Sequence, residues 1–424
     1  MKKSFYLGLI LLSICSCKSN AFDFKTKNVD IHFETVVGWD EKSKIKGKTG
    51  EFLLLNTGKT PFIYTEDGRP CVKVKLKNEE EEQDVILLID TGTPGNVITK
   101  KIREKINGKR SDYKFLVSAV NQYNLEPVSY GYYFDSIESD GFSVSNILMQ
   151  EFNEESFGYT QDGKSIDGIL GIDFLMHSNV LISYSENQLC FFSEKEKLQG
   201  EAIKIKESFL KKHRINTSFY IGKKKYEGFI DTGASSSYIN GKVLKNLLNN
   251  VSFIIDERYE KEYSRHCLME SVDFLSETFD VVPVWSARET IFDKTITIGN
   301  YILRKYDIYI DWDKKEVIYL KNTNPVLDIN FDIYISDNPN GVFGICLSTK
   351  GEKELVASKF YLNGEPLIND IDIGDEIISI NHINVCDFDW NKWPELTEAD
   401  FEILHNGRVI SKRLERQHIT YNQF

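Results

Sequence analysis

The sequence predicts a mainly β protein built as two similar lobes followed by a smaller α+β module. Three observations carry this. An apolar run ending in Asp-Thr-Gly occurs twice, at Val85-Ile86-Leu87-Leu88-Ile89-Asp90-Thr91-Gly92 and at Gly228-Phe229-Ile230-Asp231-Thr232-Gly233. A second pattern follows each run: Gly168 to Phe192 and Ile296 to Leu320 align without a gap when Gly171 is set on Gly299. Past Asn322-Thr323-Asn324-Pro325 the pattern changes to new strand-like stretches.

At 424 residues the chain exceeds one ordinary core, and length alone allows about two to four domains. Hydrophobic residues make up 41% and charged residues 27%, a balance that can bury a core and argues against long disordered tracts. A net charge of −12, with no Lys/Arg stripe, argues against a nucleic-acid partner, which calls for a basic face.

Residues 1–17 read as a targeting segment. Met1-Lys2-Lys3 is a positive start, Phe5 to Leu12 is an apolar core too short to span a bilayer comfortably, and Ile14-Cys15-Ser16-Cys17 closes it. This end resembles the lipobox of bacterial lipoproteins, whose Cys is acylated and becomes the mature N-terminus. Cys17, behind the small Ser16, fits that place better than Cys15 behind Ile14. The resemblance implies lipidation at Cys17 and a membrane-anchored lipoprotein of the cell envelope, periplasmic or surface-facing. A plain secretory leader is the simpler alternative, and both put the mature chain outside the cytoplasm. Cys71, Cys190, Cys267, Cys346 and Cys386 are scattered and odd in number, so neither a disulfide framework nor a zinc site is indicated. One unassigned disulfide stays open.

Residues 18–200 form the first predicted lobe, starting with the polar tether Lys18-Ser19-Asn20. Val72-Lys73-Val74-Lys75-Leu76-Lys77 alternates strictly, as a strand with one wet face does. Glu79 to Glu82 reads as an exposed hairpin turn, lacking the ligand spacing of a calcium loop. Val85 to Ile89 is then the continuous apolar run of a buried strand. Asp90 leaves that strand into a turn, an expensive place for an isolated carboxylate unless it is hydrogen-bonded or used. Residues 201–325 repeat the plan, with a hairpin through Ser218-Phe219-Tyr220-Ile221 leading to Asp231. Residues 326–424 are long enough for an independent module.

Asp-Thr-Gly after an apolar strand, followed later by two apolar residues and Gly, resembles the aspartic peptidases of the retropepsin and pepsin type. Asp90-Thr91-Gly92 and Asp231-Thr232-Gly233-Ala234 carry the first element in both copies. Ile169-Leu170-Gly171 matches the second fully, and Thr297-Ile298-Gly299 loosely, with a polar residue leading. The resemblance covers roughly Pro70 to Leu320 and implies a bilobal double β-barrel. It implies a catalytic dyad of Asp90 and Asp231, Thr91 and Thr232 bracing the two loops, and Gly171 and Gly299 packing beside them. The chemistry needs a pair: two carboxylates within hydrogen-bonding reach cannot both ionise cheaply, so they share a proton. The ionised member then serves as general base on a water while the protonated one polarises the scissile carbonyl. Gly92 and Gly233 permit close approach and offer backbone N–H groups. After the motifs the copies differ, Thr93-Pro94-Gly95 against Ala234-Ser235-Ser236. Thr93 alone offers its own Asp a hydroxyl, which biases the shared proton toward Asp231. A flap is expected between Gly92 and Gly171, where Ser129-Tyr130-Gly131-Tyr132-Tyr133 reads equally as an ordinary strand.

In the last module, Gly374-Asp375-Glu376-Ile377-Ile378-Ser379-Ile380-Asn381 resembles the Gly-Asp-x-Ile-x-x-Ile-Asn segment of PDZ domains. Gly341-Val342-Phe343-Gly344-Ile345 loosely resembles their carboxylate-receiving loop. The resemblance implies a peptide or protein C-terminus as partner, bound by strand addition; a degenerate module that only packs on the lobes is the alternative. Trp390 and Trp393 read as local core or lid residues. No His-Glu-x-x-His, Gly-x-Ser-x-Gly or phosphate-binding Gly loop occurs, and no metal or organic cofactor is implied. The sequence thus points to a lipid-anchored aspartic endopeptidase acting on polypeptides. The rival is a non-catalytic envelope peptide-binding or assembly lipoprotein that keeps the peptidase fold.

Overall fold

The computed structural model describes residues 38–39, 45–46, 50–56, 58–65, 67–116, 128–152, 157–192, 198–210, 214–240, 243, 251–254, 256–257, 265–286, 296–322, 343–350, 354–362, 365–366 and 368–416. The expected leader with Cys17, the expected tether, and Gly341 and Val342 lie outside the described residues. The protein is mainly β, with closed and nearly closed barrel-like sheets.

The first barrel starts from the alternating stretch. Strand Pro70–Asn78 buries Val72, Val74 and Leu76 and leaves Lys73 exposed. Turning at the exposed Glu79 and Glu80, it pairs antiparallel with Glu81–Ile89, whose last five residues are all buried. The barrel then runs parallel to Gly168–Leu170, antiparallel to Val97–Thr99, parallel to Phe142–Phe152 and antiparallel to Val128–Glu138. Leu76 pairing with Ile137 closes it back on the first strand.

The second barrel repeats this order with the same alternation of directions. Asn216–Ile221 pairs antiparallel with Lys224–Ile230, which runs parallel to Ile296–Ile298. Antiparallel Ser237–Ile239, parallel Glu277–Ser286 and antiparallel Arg265–Phe274 follow, and Tyr220 against Asp273 closes the ring. In each barrel the apolar strand before Asp-Thr-Gly lies between its hairpin partner and a parallel three-residue strand. In the first barrel Val85, Leu87 and Ile89 face one core while Ile86 and Leu88 face another, which explains why that strand is apolar on both faces.

The two barrels are joined by hydrogen bonds rather than merely packed. Hairpin Asn179–Ser183/Gln188–Phe192 of the first unit meets hairpin Tyr306–Asp311/Glu316–Lys321 of the second. Their inner strands pair antiparallel as Val180 with Ile310, Leu181 with Tyr309 and Ile182 with Ile308. Leu181 and Tyr309 are each other's equivalents in the Gly171-on-Gly299 alignment. A local two-fold axis therefore passes through that pair, and one continuous hydrophobic core spans both barrels.

Residues 343–416 enclose a separate core around Phe343, Ile377, Phe401 and Ile403. Trp390 and Trp393 pack against it. Its sheet receives a strand from the second barrel's side: Asp256 pairs with Phe360 and Glu257 with Lys359. Among the described residues, no helix is long and apolar enough to cross a membrane.

Candidate active site

Both Asp-Thr-Gly turns leave their strands at the same place. The Asp90 N–H donates to the Leu170 carbonyl at 3.0 Å and the Asp231 N–H to the Ile298 carbonyl at 2.9 Å, so each parallel strand anchors one turn. The threonines then cross between barrels. The Thr91 N–H donates to the Thr232 hydroxyl at 3.1 Å, and the Thr232 N–H to the Thr91 hydroxyl at 3.0 Å. Each hydroxyl in turn donates to the strand of the opposite barrel, Thr91 to the Ile230 carbonyl at 3.0 Å and Thr232 to the Ile89 carbonyl at 2.7 Å. Both threonines are fully buried, so all four bonds form away from water, where an unmade one is expensive.

This brace brings each glycine onto the opposite carboxyl group. A Cβ on Gly92 would lie 2.4 Å from the Asp231 Cγ, and one on Gly233 would lie 2.3 Å from the Asp90 Cγ. Neither glycine has a positive φ, so close approach and not turn geometry requires them. The two carboxyl groups come within hydrogen-bonding reach of one another, so each acts on the other's titration.

Their surroundings differ. Asp90 Oδ1 accepts from the N–H groups of Gly92 at 2.6 Å and Thr93 at 3.1 Å, while Oδ2 accepts from the Thr93 hydroxyl at 2.7 Å. Asp231 accepts from the Gly233 N–H at 3.0 Å, and Ala234 has no hydroxyl to add. Burial raises the pKa of both groups. For Asp90 the Thr93 hydroxyl and the backbone donors work against that rise. For Asp231 the Asp90 charge and their shared hydrogen bond add to it, and its pKa stands well above the ordinary range. The bias places the shared proton on Asp231.

Gly171 and Gly299 hold the loops from behind. A Cβ on Gly171 would meet the Gly95 carbonyl oxygen at 2.2 Å, and one on Gly299 the Ser236 carbonyl oxygen at 2.3 Å. The loose match at Thr297 is absorbed locally: its hydroxyl accepts from the Tyr238 N–H at 3.2 Å, so the polar side chain is partnered in a buried strand.

Four site neighbours were not singled out by sequence reasoning. Arg69 is buried, with Nε donating to Asp67 at 2.8 Å and Nη1 reaching across to the Gly233 carbonyl at 3.4 Å. Burial works against its charge, but Asp67 and, more weakly, Asp90 outweigh this and raise its pKa. Arg214 is its counterpart: Cys71 pairs with Leu88, Asn216 pairs with Phe229, and each arginine stands two residues earlier. It is buried, stacked 4.2 Å from the Phe229 ring centre, and its charge pulls on Asp231. Arg69 stands 21 residues before Asp90 and Arg214 stands 17 before Asp231, because the first hairpin is the longer, so the two are equivalent in strand register and not in sequence spacing. Asn300, which bonds the second loop, and Tyr184, which bonds Asn300, carried no signal in the sequence.

Ser129 to Tyr133 lies within strand Val128–Glu138, paired with Lys109–Leu116, and residues 117–127 between these strands lie outside the described residues. In the last module Phe343 is buried against Trp393 and Phe401, Gly344 has a φ of 76°, and Ile345 opens strand Ile345–Lys350. Cys71 and Cys190 are buried free thiols and Cys386 an exposed one.

No protein-family model and no curated protein matches the chain.

Proposed function

We propose that the protein is an aspartic endopeptidase, anchored by lipid on Cys17 outside the cytoplasm, with a bilobal peptidase fold and a PDZ-like C-terminal module. The observation that carries this reading is the mutual packing of Gly92 on Asp231 and Gly233 on Asp90, which holds two buried carboxyl groups in one proton-sharing pair. A structural role alone does not call for two carboxyls forced together in a dry interface, because that arrangement costs stability.

The unequal surroundings assign the roles. Asp90, held by three donors, is the base that takes a proton from a water between the pair. That water's oxygen bonds to the peptide carbonyl carbon as Asp231 gives its proton to the carbonyl oxygen. Collapse of the tetrahedral intermediate breaks the C–N bond. The leaving nitrogen takes the proton from Asp90 and Asp231 recovers its own, so the pair ends as it began. The PDZ-like module is a place for a substrate or partner C-terminus, by strand addition following the Phe343-Gly344-Ile345 loop.

The test is cleavage of a quenched random peptide library by wild type, Asp90→Asn and Asp231→Asn, with and without a pepstatin-like inhibitor. Cleavage by wild type alone, blocked by the inhibitor, is the expected result. Activity that survives both substitutions overturns the dyad. A folded wild type with no cleavage turns the reading to the non-catalytic peptide-binding lipoprotein.

A further inference from the structure

The repeat breaks at one buried position beside the second loop. In both barrels the residue after the packing glycine and its neighbour donate backbone N–H bonds to the loop. Ile172 donates to the Thr93 carbonyl and Asp173 to that of Pro94, both at 2.9 Å; Asn300 donates to Ala234 at 2.8 Å and Tyr301 to Ser235 at 2.9 Å. What differs is the side chain, Ile172 in one copy and Asn300 in the other.

The fully buried Asn300 uses its amide on the loop itself. Its Nδ2 donates to the Thr232 carbonyl at 2.5 Å and to the Ala234 carbonyl at 2.9 Å. Its Oδ1 accepts from the Tyr184 hydroxyl at 2.5 Å, and Tyr184 opens the turn of the first unit's hairpin in the shared sheet. The Thr232 carbonyl and the Gly233 N–H are the two ends of one peptide group, and that N–H donates to Asp231 at 3.0 Å. The bonds therefore form a single chain with every donor pointing the same way: Tyr184 hydroxyl, Asn300 amide, Thr232–Gly233 peptide, Asp231 carboxyl. Hydrogen bonds in such a chain polarise and strengthen one another in a dry site.

We propose that Tyr184 and Asn300 are positioning residues for Asp231, a relay from the first barrel that aims and strengthens the Gly233 N–H where the second loop lacks a hydroxyl like that of Thr93. The proposal rests on the peptidase reading for its consequence in catalysis, but not for its geometry. The repeat supplies its own control. Trp312 is the equivalent of Tyr184, and its indole N–H also crosses between units, donating at 2.8 Å to the Leu175 carbonyl. That acceptor lies at the far end of helix Ile172–Leu175, and the bond does not reach the Asp90 loop.

The experiment compares full-length wild type, Tyr184→Phe, Asn300→Asp and Trp312→Phe. Two readouts are used: the carboxyl carbon NMR titration of Asp231, and the pH–rate profile on a fluorogenic peptide chosen from the library. A weakened donor disfavours the ionised form of Asp231. Tyr184→Phe is thus expected to move the Asp231 midpoint and the basic limb of the profile to higher pH. It should lower kcat about tenfold with KM held within about twofold. Asn300→Asp, which loses both loop contacts of Nδ2, should do more. Trp312→Phe should lower the melting temperature and leave the Asp231 midpoint in place. An Asp231 midpoint that stays put or falls in Tyr184→Phe overturns the proposal, as does an equal shift in Trp312→Phe. Tyr184→Phe removes one oxygen, so the test stands even if Asn300→Asp does not fold. Activity that survives Asp90→Asn and Asp231→Asn would remove the peptidase reading instead, and the carboxyl titration, which needs no substrate, still decides the relay.

Discussion

Gly92 packs directly on the carboxyl group of Asp231, so close that a Cβ in its place would stand 2.4 Å from the Asp231 Cγ. The backbone of Gly92 is in a region open to any residue, so alanine would be strained by this contact alone. Gly92→Ala must therefore push the carboxyl groups apart. We expect a loss of about a hundredfold or more in kcat/KM from misplaced reacting groups. The overpacking should cost about 1–3 kcal/mol, measured by urea unfolding. A folded Gly92→Ala protein with full activity would mean that the pair need not be in contact.

The pair also sets how stability depends on pH. Burial, with the Asp90 charge behind it, raises the Asp231 pKa well above the ordinary range. In the window between the ordinary carboxylate value of about 4 and the raised one, the folded chain holds a proton that the unfolded chain has released. The Asp231 contribution therefore makes the protein less stable as pH rises through that window. Asp231→Asn should melt higher than wild type at neutral pH, and the gap should close toward about pH 4. Thermal unfolding across that range checks it, and a gap that is constant with pH would count against a raised Asp231.

Thr93 tests the division of labour. Its hydroxyl donates to Asp90 Oδ2 at 2.7 Å and favours the ionised form. Thr93→Ala should move the acidic limb of the pH–rate profile upward and leave the basic limb nearly where it was. An unchanged profile would remove the reason for naming Asp90 the base.

Thr91 tests the brace. Thr91→Ser keeps the hydroxyl that accepts from the Thr232 N–H and donates to the Ile230 carbonyl, whereas Thr91→Val strips both partners. Leaving buried groups unpaired should cost Thr91→Val about 1–3 kcal/mol more than Thr91→Ser in chemical denaturation. Equal stability of the two would show that the cross-barrel bonds contribute little.

The strand shared with the C-terminal module is open to a direct test. Glu257 and Lys359 are directly opposed in an antiparallel pair, and such pairs have Cα atoms about 4.5–5.5 Å apart, within the span of a disulfide. Glu257→Cys with Lys359→Cys should crosslink under mild oxidation, as read by peptide mapping of the full chain. Failure to crosslink would count against the pairing.

Much of this arrangement is legible in the sequence. The strands into Asp90 and Asp231 show as apolar runs, because the residues just before each Asp are buried whichever face of the strand they occupy. The gap-free alignment of Gly171 on Gly299 showed as a repeat, because both copies build the same strand, helix and hairpin from local pattern. The polar Thr297 that loosens the second match is accommodated for a reason no pattern contains. Its hydroxyl is satisfied by the Tyr238 N–H, a residue distant in the chain that only strand pairing brings alongside.

Periodicity and motif were enough to name Asp90, Thr91, Gly92 and their partners, since each sits at a set place in a strand and turn that the neighbouring residues dictate. Folding alone decided what surrounds them. The line from Tyr184 through Asn300 to Asp231, the reach of Arg69 to Gly233 and the pairing of Leu181 with Tyr309 all join residues remote in sequence. A hydrogen bond depends on where two atoms meet in space, and side-chain pattern along one chain records only which face each residue turns to the core.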